Sequence, residues 1–245
     1  MNNEKTVVAI ISGGLDSTTM LWFLMSEGYD VIETISFNYG QRHVKELDSA
    51  RQIVEKFNNQ FNKEIDHQIV DLREVGKLIS KGALTGKEDV PKEMYDRESQ
   101  KVTVVPNRNG IMLNIAAGRA VTIGARYIAY AAHASDYSVY PDCRPEYIEA
   151  MDKAIYLGNL WDPVNILAPF KHLSKGEVTG VAMKVGAPLE LTWSCYQGGE
   201  RPCLECGTCL ERTEAFLQIG ESDPSLTDEE WKLAVEQYKK HAAKD

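Results

Sequence analysis

Long hydrophobic runs are missing from this 245-residue chain, and so is a surplus of positive charge. No apolar run comes near the about 20 residues that a membrane-spanning helix needs. The short apolar run near the start leads into two glycines, which is not the pattern of a signal peptide. The 27 Lys and Arg against 36 Asp and Glu give a net charge of −9, which does not favour bulk nucleic-acid binding. We therefore expect a cytoplasmic small-molecule enzyme with no membrane and no nucleic acid as partner.

Disulfides are also expected to be absent, because thiols stay reduced in the cytoplasm. Four of the five cysteines instead form the pattern C-x7-C-x2-C-x2-C, with Cys195, Cys203, Cys206 and Cys209. Four thiolates at short gaps, with no open position, are typical of a structural Zn²⁺ site. Iron–sulfur ligation is the alternative, since C-x2-C-x2-C also occurs in ferredoxins. The fifth cysteine, Cys143, is interpreted as a plain thiol.

No lysine lies between Lys5 and Lys45, although a glycine loop of the kind that binds phosphate stands between them. Residues 7–19 read Val-Val-Ala-Ile-Ile-Ser-Gly-Gly-Leu-Asp-Ser-Thr-Thr, which predicts a buried strand, a glycine turn and a helix over 18–27. Ser17, Thr18 and Thr19 are expected to hydrogen-bond to free amides where this helix starts. Amides that converge on a helix N-terminus make an anion site, most naturally for phosphate.

The missing lysine excludes a Walker A loop, in which a lysine reaches the terminal phosphates. Asp16 stands in the turn instead. A carboxylate beside phosphates repels them unless a cation lies between, so we infer that Mg²⁺ binds here with the nucleotide.

Beyond this loop, strand and helix patterns alternate. Strands are predicted over 30–37, 64–70, 127–131 and 164–170, and helices over 42–59, 112–125, 145–157 and 174–185. The alternation predicts an α/β fold, a Rossmann-like parallel sheet with helices on both faces. Ligands bind at the C-terminal ends of such strands, where the loops at 12–17 and 38–41 would meet. We place an ATP-binding domain at 1–186 and a C-terminal zinc-binding helical region at 187–245.

Two capping boxes, Ser174 with Glu177 and Thr227 with Glu230, predict the starts of the last helices. The final helix would run to about residue 242. Its expected apolar stripe consists of Trp231, Leu233, Ala234 and Tyr238. Residues 81–103 are mostly polar without a firm period, and they are interpreted as either a lid or a variable surface loop.

The loop Ser-Gly-Gly-Leu-Asp-Ser at 12–17 resembles the pyrophosphate loop of the N-type ATP pyrophosphatases, which cleave ATP between the α and β phosphates. Four further stretches extend the resemblance: Phe-Asn-Tyr-Gly-Gln at 37–41, Val-Pro-Asn-Arg-Asn at 105–109, Asp-Tyr-Ser-Val-Tyr-Pro-Asp-Cys-Arg at 136–144, and Thr-Trp-Ser-Cys-Tyr at 192–196 with the later cysteines. Together they resemble the 7-cyano-7-deazaguanine synthase family, QueC, over residues 7–217. Val139 departs from the pattern, which has glycine there.

The resemblance implies an adenine nucleotide alpha hydrolase-like fold and a ligase of queuosine and archaeosine biosynthesis. It would convert 7-carboxy-7-deazaguanine and ammonia to the nitrile, with ATP used twice and an amide as intermediate. The family carries a structural zinc and commonly forms homodimers.

Site residues follow from this resemblance and from side-chain chemistry. Asp16, Ser17, Arg108 and Lys171 are the predicted catalytic residues, the last two as cations that stabilise negative charge. The predicted ATP site comprises Ile11, Ser12, Gly13, Gly14, Leu15, Asp16, Ser17, Thr18, Phe37, Tyr39 and Gln41. The predicted substrate site comprises Asn109, Tyr140, Asp142, Arg144 and Trp193, with Tyr196 as a further stacking candidate. The alternative for each is a packing aromatic or a surface ion pair. A histidine base at His133 or His172 stays open.

Two rival functions stay open. One is another enzyme with a pyrophosphate loop, such as a tRNA thiolase or an amidotransferase-type synthetase. A thiolase would need a catalytic cysteine pair outside the zinc set, and only Cys143 remains. The other is a nucleotide-dependent conjugating protein of a defence system that has kept this fold and binds a protein partner.

Overall fold

The chain folds around one parallel sheet with helices between successive strands. The computed structural model describes residues 5–94 and 97–243, with Arg97 and Ser99 described by their backbone alone. The strands are β1 (Thr6–Ile10), β2 (Asp30–Asn38), β3 (Asp66–Asp71), β4 (Tyr127–Ala129) and β5 (Asn165–Leu167). They lie in the order β3-β2-β1-β4-β5, and every neighbouring pair is parallel. The strand order therefore reverses between β1 and β4, which is where open α/β sheets bind ligands.

The helices include long ones that cover the sheet and short ones in the connections. They are α1 (Leu15–Ser26), α2 (Glu46–Phe61), α3 (Arg73–Leu78), α4 (Gly82–Thr85), α5 (Arg97–Gln100), α6 (Arg108–Ile123), α7 (Pro145–Gly158), α8 (Lys175–Val185), α9 (Gly207–Ile219) and α10 (Asp228–Ala242). Turns of 3₁₀-helix lie at Lys101–Thr103, Ala134–Ser138, Pro141–Cys143 and Leu189–Leu191.

Alternate residues of β1 enter two different hydrophobic clusters. Val7 and Ala9 pack with residues of α1, α2 and α8, whereas Val8 packs with residues of α6. Successive side chains of a strand point to opposite faces, so the two clusters lie on the two sides of the sheet. This confirms the predicted parallel α/β fold with helices on both faces.

The C-terminal helices share the first of these clusters. Phe216 of α9 is fully buried in it, and Trp231 of α10 packs against Phe216 with ring centroids 6.3 Å apart. The division at residue 186 stays a prediction. Both predicted capping boxes are confirmed. Leu233 is 45% exposed, so its place in the apolar stripe was wrong: at 100° per residue it lies about 200° around the helix from Trp231.

Three further expectations need correction. Helix α1 begins at Leu15, earlier than predicted, so Thr18 and Thr19 lie inside it and donate to the carbonyls of Gly14 and Leu15, each at 2.8 Å. Helix α9 was not predicted. The surface-loop interpretation of 81–103 was wrong for α4, because Ala83 and Leu84 are at most 1% exposed.

Within the described ranges, no helix combines the length and apolarity needed to cross a membrane.

Candidate active site

A cavity of about 220 Å³ opens where β1, β2 and β4 end and α1, α6 and α8 begin. Its walls carry the glycine loop on one side and a group of tyrosines with Arg108 on another. The position agrees with the ligand site that the parallel sheet predicts.

The glycine loop is held by two neighbouring segments. Gly13 has φ +87°, and a Cβ built there would lie 2.1 Å from the carbonyl oxygen of Glu46. The amide of Trp193 donates to the carbonyl of Gly13 at 2.9 Å. Inside the loop, the Ser12 amide donates to Ser17 Oγ at 3.1 Å. Glycine is therefore required at position 13, where the loop touches the start of α2.

Asp16 is held between two cations. Its Oδ2 accepts from Lys175 Nζ at 2.5 Å and lies 3.6 Å from His133 Nε2. Burial raises the pKa of Asp16, but Lys175 and His133 outweigh burial and leave that pKa well below its usual value. Burial lowers the pKa of His133, whereas the carboxylates of Asp136 and Asp16 raise it to about 9. At neutral pH, Asp16 is therefore ionised and both of its neighbours are charged.

Two more carboxylates, those of Asp136 and Glu211, complete the charged cluster of Asp16, Lys175 and His133. Asp136 Oδ2 lies 3.5 Å from His133 Nε2. Burial raises the pKa of Glu211 to about 7, against the opposing effect of Lys175 and His133. The cluster thus has no surplus of positive charge for phosphates. Three of its buried atoms, Asp16 Oδ1, His133 Nδ1 and Glu211 Oε1, have no hydrogen-bond partner among the described residues. A free carboxylate oxygen beside the loop fits the predicted magnesium ligand.

Arg108 lies in different surroundings, among tyrosines. Its Nη1 donates to Tyr39 Oη at 2.9 Å, and its guanidinium carbon lies 5.4 Å from the Tyr39 ring and 5.9 Å from the Tyr140 ring. Tyr140 Oη is 3.1 Å from Tyr196 Oη. Burial raises the pKa of Tyr39 to about 12, so this phenol is neutral at physiological pH.

The cavity brings together eleven of the predicted site residues. They are Ile11, Ser12, Gly14, Leu15, Asp16, Ser17, Phe37, Tyr39, Arg108, Asn109 and Trp193. Tyr196, the further stacking candidate, lines the cavity as a twelfth. Of the two candidate histidines, His133 lines it and His172 does not.

The other predicted residues lie behind its walls or away from it. Lys171 is paired with Glu149 at 3.3 Å. Asp142 accepts from the Asn109 amide at the start of α6, and Arg144 donates to the Tyr137 carbonyl. Four more contact their neighbours from behind the walls. Gly13 lies against Glu46, and Thr18 donates to the Gly14 carbonyl. Gln41 donates to the Phe37 carbonyl, and Tyr140 Oη lies 3.1 Å from Tyr196 Oη. Their assigned roles stay predictions.

Sequence reasoning missed several lining residues, of which Lys175 is the most important. It is the first residue of α8, directly after the capping box of Ser174. A lysine at a helix start beside the C-terminal edge of the sheet is the signal that could have found it. His43, Glu46 and Glu211 were also missed, and all three line the cavity.

The four cysteines of the predicted zinc site lie together. Their sulfurs are all within 4.8 Å of one another, with 3.5 Å from Cys206 to Cys209 and 4.0 Å from Cys203 to Cys209. At a metal–sulfur length of about 2.3 Å, a tetrahedral zinc site places its sulfurs about 3.8 Å apart. The cluster therefore fits one tetrahedral metal ion.

Comparisons with known proteins agree on one family. A model of the family described as queuosine biosynthesis protein QueC matches residues 6–220. The chain is 52% identical over 238 residues to a 7-cyano-7-deazaguanine synthase of Archaeoglobus fulgidus, covering 97% of each chain. It is 43% identical over 235 residues to one of Brucella anthropi, covering 95% of this chain and 98% of that relative.

A solved structure, the U34-tRNA thiolase NcsA from Methanococcus maripaludis with its [4Fe-4S] cluster, is 14% identical with a TM-score of 0.44. The match covers 99% of this chain and 73% of the thiolase chain. A likeness this weak carries no argument.

Proposed function

This chain belongs to the queuosine biosynthesis protein QueC family, and from that premise we propose that it is an ATP-dependent carbon–nitrogen ligase that makes 7-cyano-7-deazaguanine. The observation that carries the proposal is the 52% identity to a 7-cyano-7-deazaguanine synthase over 97% of both chains. The substrates are 7-carboxy-7-deazaguanine, ammonia and ATP.

The reaction has to remove both carboxylate oxygens, and each is a poor leaving group at neutral pH. In the first half, the carboxylate attacks the α phosphate, pyrophosphate leaves, and ammonia displaces AMP to give the amide. In the second half, the amide oxygen is adenylated in the same way. Loss of AMP and of the nitrogen-bound protons then gives the nitrile. Each oxygen departs on one AMP, so two ATP are used for each nitrile.

The loop of residues 12–17 would hold the pyrophosphate. The loop lines the cavity at the start of α1, where the helix dipole favours negative charge. Lys175 would add a fixed positive charge next to the loop. Mg²⁺, held by Asp16, would neutralise the phosphates and orient the α phosphate for attack. Phe37 and Tyr39, at and just after the end of β2, would border the adenosine.

Two properties of the whole protein complete the proposal. The cysteine cluster would hold a structural zinc, because its four thiolates leave no open position for catalysis. The protein would act in the cytoplasm as a homodimer, without a nucleic-acid partner. The mass of the protein in solution tests its oligomeric state.

Mass spectrometry of the products tests this function. The purified protein is incubated with 7-carboxy-7-deazaguanine, ATP and ammonium. We expect the nitrile, with two AMP and two pyrophosphate for each, and with the amide as a transient species. Synthetic amide, with ATP and without ammonium, should give nitrile and one AMP. ADP as the nucleotide product, or an inert amide, would contradict the mechanism and favour the conjugating-protein function.

A further inference from the structure

Arg108 presents a positive charge to the cavity, and no carboxylate of the described residues lies within ion-pair distance of it. It lines the cavity and is half-buried. Among the described residues its side chain makes no ion pair, and its polar contact is with the neutral hydroxyl of Tyr39. The carboxylate of Asp142 favours the charge of Arg108 only from a distance. A cation that is withdrawn from water without a carboxylate in contact is costly to the folded protein. Such a charge is typical of a site that receives an anionic ligand.

The surroundings of Arg108 indicate which anion it receives. The proposed reaction brings two anions into one cavity, the phosphates of ATP and the carboxylate of the deazaguanine. The loop, Lys175 and Asp16 with its magnesium take the phosphates. Arg108 instead lies against the ring of Tyr39, which lines the cavity together with Tyr196, and against the ring of Tyr140 behind them. Aromatic walls around a guanidinium suit a carboxylate that is attached to a planar ring, not a polyphosphate.

We propose that Arg108 binds the carboxylate of 7-carboxy-7-deazaguanine and so serves the first half of the reaction more than the second. This inference rests on the proposed function. The two halves of the reaction differ in the charge of the group that reacts, because the carboxylate exists only in the first half. The amide that enters the second half is neutral, and a guanidinium binds a neutral oxygen less strongly than a carboxylate. A group that held ATP would serve both halves equally, since both use ATP.

The test compares the two halves in Arg108→Met, which removes the charge and the donors and keeps an unbranched stem. We expect kcat/KM for the acid to fall about 100-fold, the value of one charge-assisted hydrogen bond. The ratio of kcat/KM for the acid to that for the amide should fall at least about tenfold. Arg108→Lys keeps the charge but cannot make bidentate hydrogen bonds to a carboxylate. Its ratio of kcat/KM for the acid to that for the amide should therefore lie between those of the unmodified protein and Arg108→Met. Arg126→Met is the matched control, because Arg126 is exposed at the opposite end of the sheet, just before β4.

Binding without ATP gives a second readout that does not depend on turnover. Calorimetry should show that Arg108→Met loses affinity for the acid and keeps affinity for the nitrile product. An equal fall for acid and amide, in either Arg108 variant, would overturn the inference, as would unchanged acid binding. If Arg108→Met does not fold, Arg108→Lys decides by the same ratio. Failure of the unmodified protein to make nitrile would instead refute the proposed function.

Discussion

Asp16 stands where the phosphates of ATP are expected, yet it is ionised. Lys175 and His133 keep the Asp16 carboxylate charged although burial opposes this, and its Oδ1 stays without a partner. An ionised oxygen with no protein donor is suited to a metal ion that accompanies the nucleotide. In the proposed function, Asp16 and a magnesium ion would together take the place of the missing Walker lysine.

We predict that Asp16→Ala and Ser17→Ala each lower kcat about 10²–10³-fold while the protein stays folded. Asp16 would lose the magnesium ligand, and Ser17 the hydroxyl that accepts from the Ser12 amide at 3.1 Å. Steady-state release of AMP measures the rate, and circular dichroism checks the fold. Near-normal turnover in both variants would remove the loop from the mechanism.

The two nearby lysines are predicted to differ. Lys175→Met should lower kcat about 10²–10³-fold, because it removes the cation that pairs with Asp16 beside the loop. Lys171→Met removes an ion pair with Glu149, whose side chain is 67% exposed, so we expect a much smaller change. Parallel kinetics on both variants decide between them. A larger loss at Lys171 would restore it as the catalytic lysine.

At the scale of an element, the turn between β1 and α1 depends on one glycine. Gly13→Ala would force an alanine into a left-handed backbone and place its Cβ against the Glu46 carbonyl. We therefore predict that it destabilises the protein by more than about 1 kcal/mol. Gly118→Ala is the matched control in α6, where a Cβ meets no atom within 4 Å, and it should stabilise by about 0.4–1 kcal/mol. Urea unfolding measures both, and equal effects of the same sign would contradict the account.

The cysteine cluster gives a second prediction for an element. Cys206→Ser should lose the metal and lower the melting temperature, because metal binding is coupled to folding. Elemental analysis of the unmodified protein should give one zinc per chain. Iron in place of zinc, or full zinc occupancy in the variant, would contradict the structural zinc site. Cys143→Ser is the matched control, since Cys143 lies outside the cluster, and it should keep its zinc.

Elements with local signals could be predicted from the sequence. The apolar run of β1 and the capping boxes at Ser174 and Thr227 need only their neighbours in the chain. Helix α9 begins with a glycine that follows Cys206 of the cysteine cluster, so its start carries no capping signal. Lys175 was missed because its partner Asp16 lies 159 positions away, and that contact is set by packing. Local patterns thus predicted the fold and the loop, but not the groups that come to the loop from distant elements.

At the scale of the whole molecule, a buried ion pair joins three segments of the C-terminal region, those of Thr192, Arg212 and Asp223. Arg212 of α9 donates to both carboxylate oxygens of Asp223 at 2.6 and 2.8 Å and to Thr192 Oγ1 at 2.7 Å. Burial raises the pKa of Asp223, but Arg212 outweighs it and the pKa is lowered. The stabilisation by Asp223 is therefore present above its unfolded pKa of about 3.9 and is lost as the pH falls through the folded pKa.

Asp223→Ala should therefore destabilise the protein by about 3–5 kcal/mol at pH 7, because it leaves Arg212 buried without its partner. The difference from the unmodified protein should shrink as the pH falls below about 4. Urea unfolding at pH 7 and pH 3 measures it. Asp48→Ala, which removes an exposed pair with Arg51, is the control and should have little effect. A difference that does not depend on pH would contradict the role of this ion pair.

The hydrogen bond from Trp193 to Gly13 has a consequence for the timing of synthesis. The two residues lie 180 positions apart, and translation proceeds at about 5–20 residues per second. The ribosome therefore adds Trp193 roughly 9–36 s after Gly13. Until then the nascent chain carries a complete phosphate loop whose Gly13 carbonyl has no partner from the later segment. A chain released before residue 193 should thus hold the loop from one side only, where Gly13 lies against Glu46.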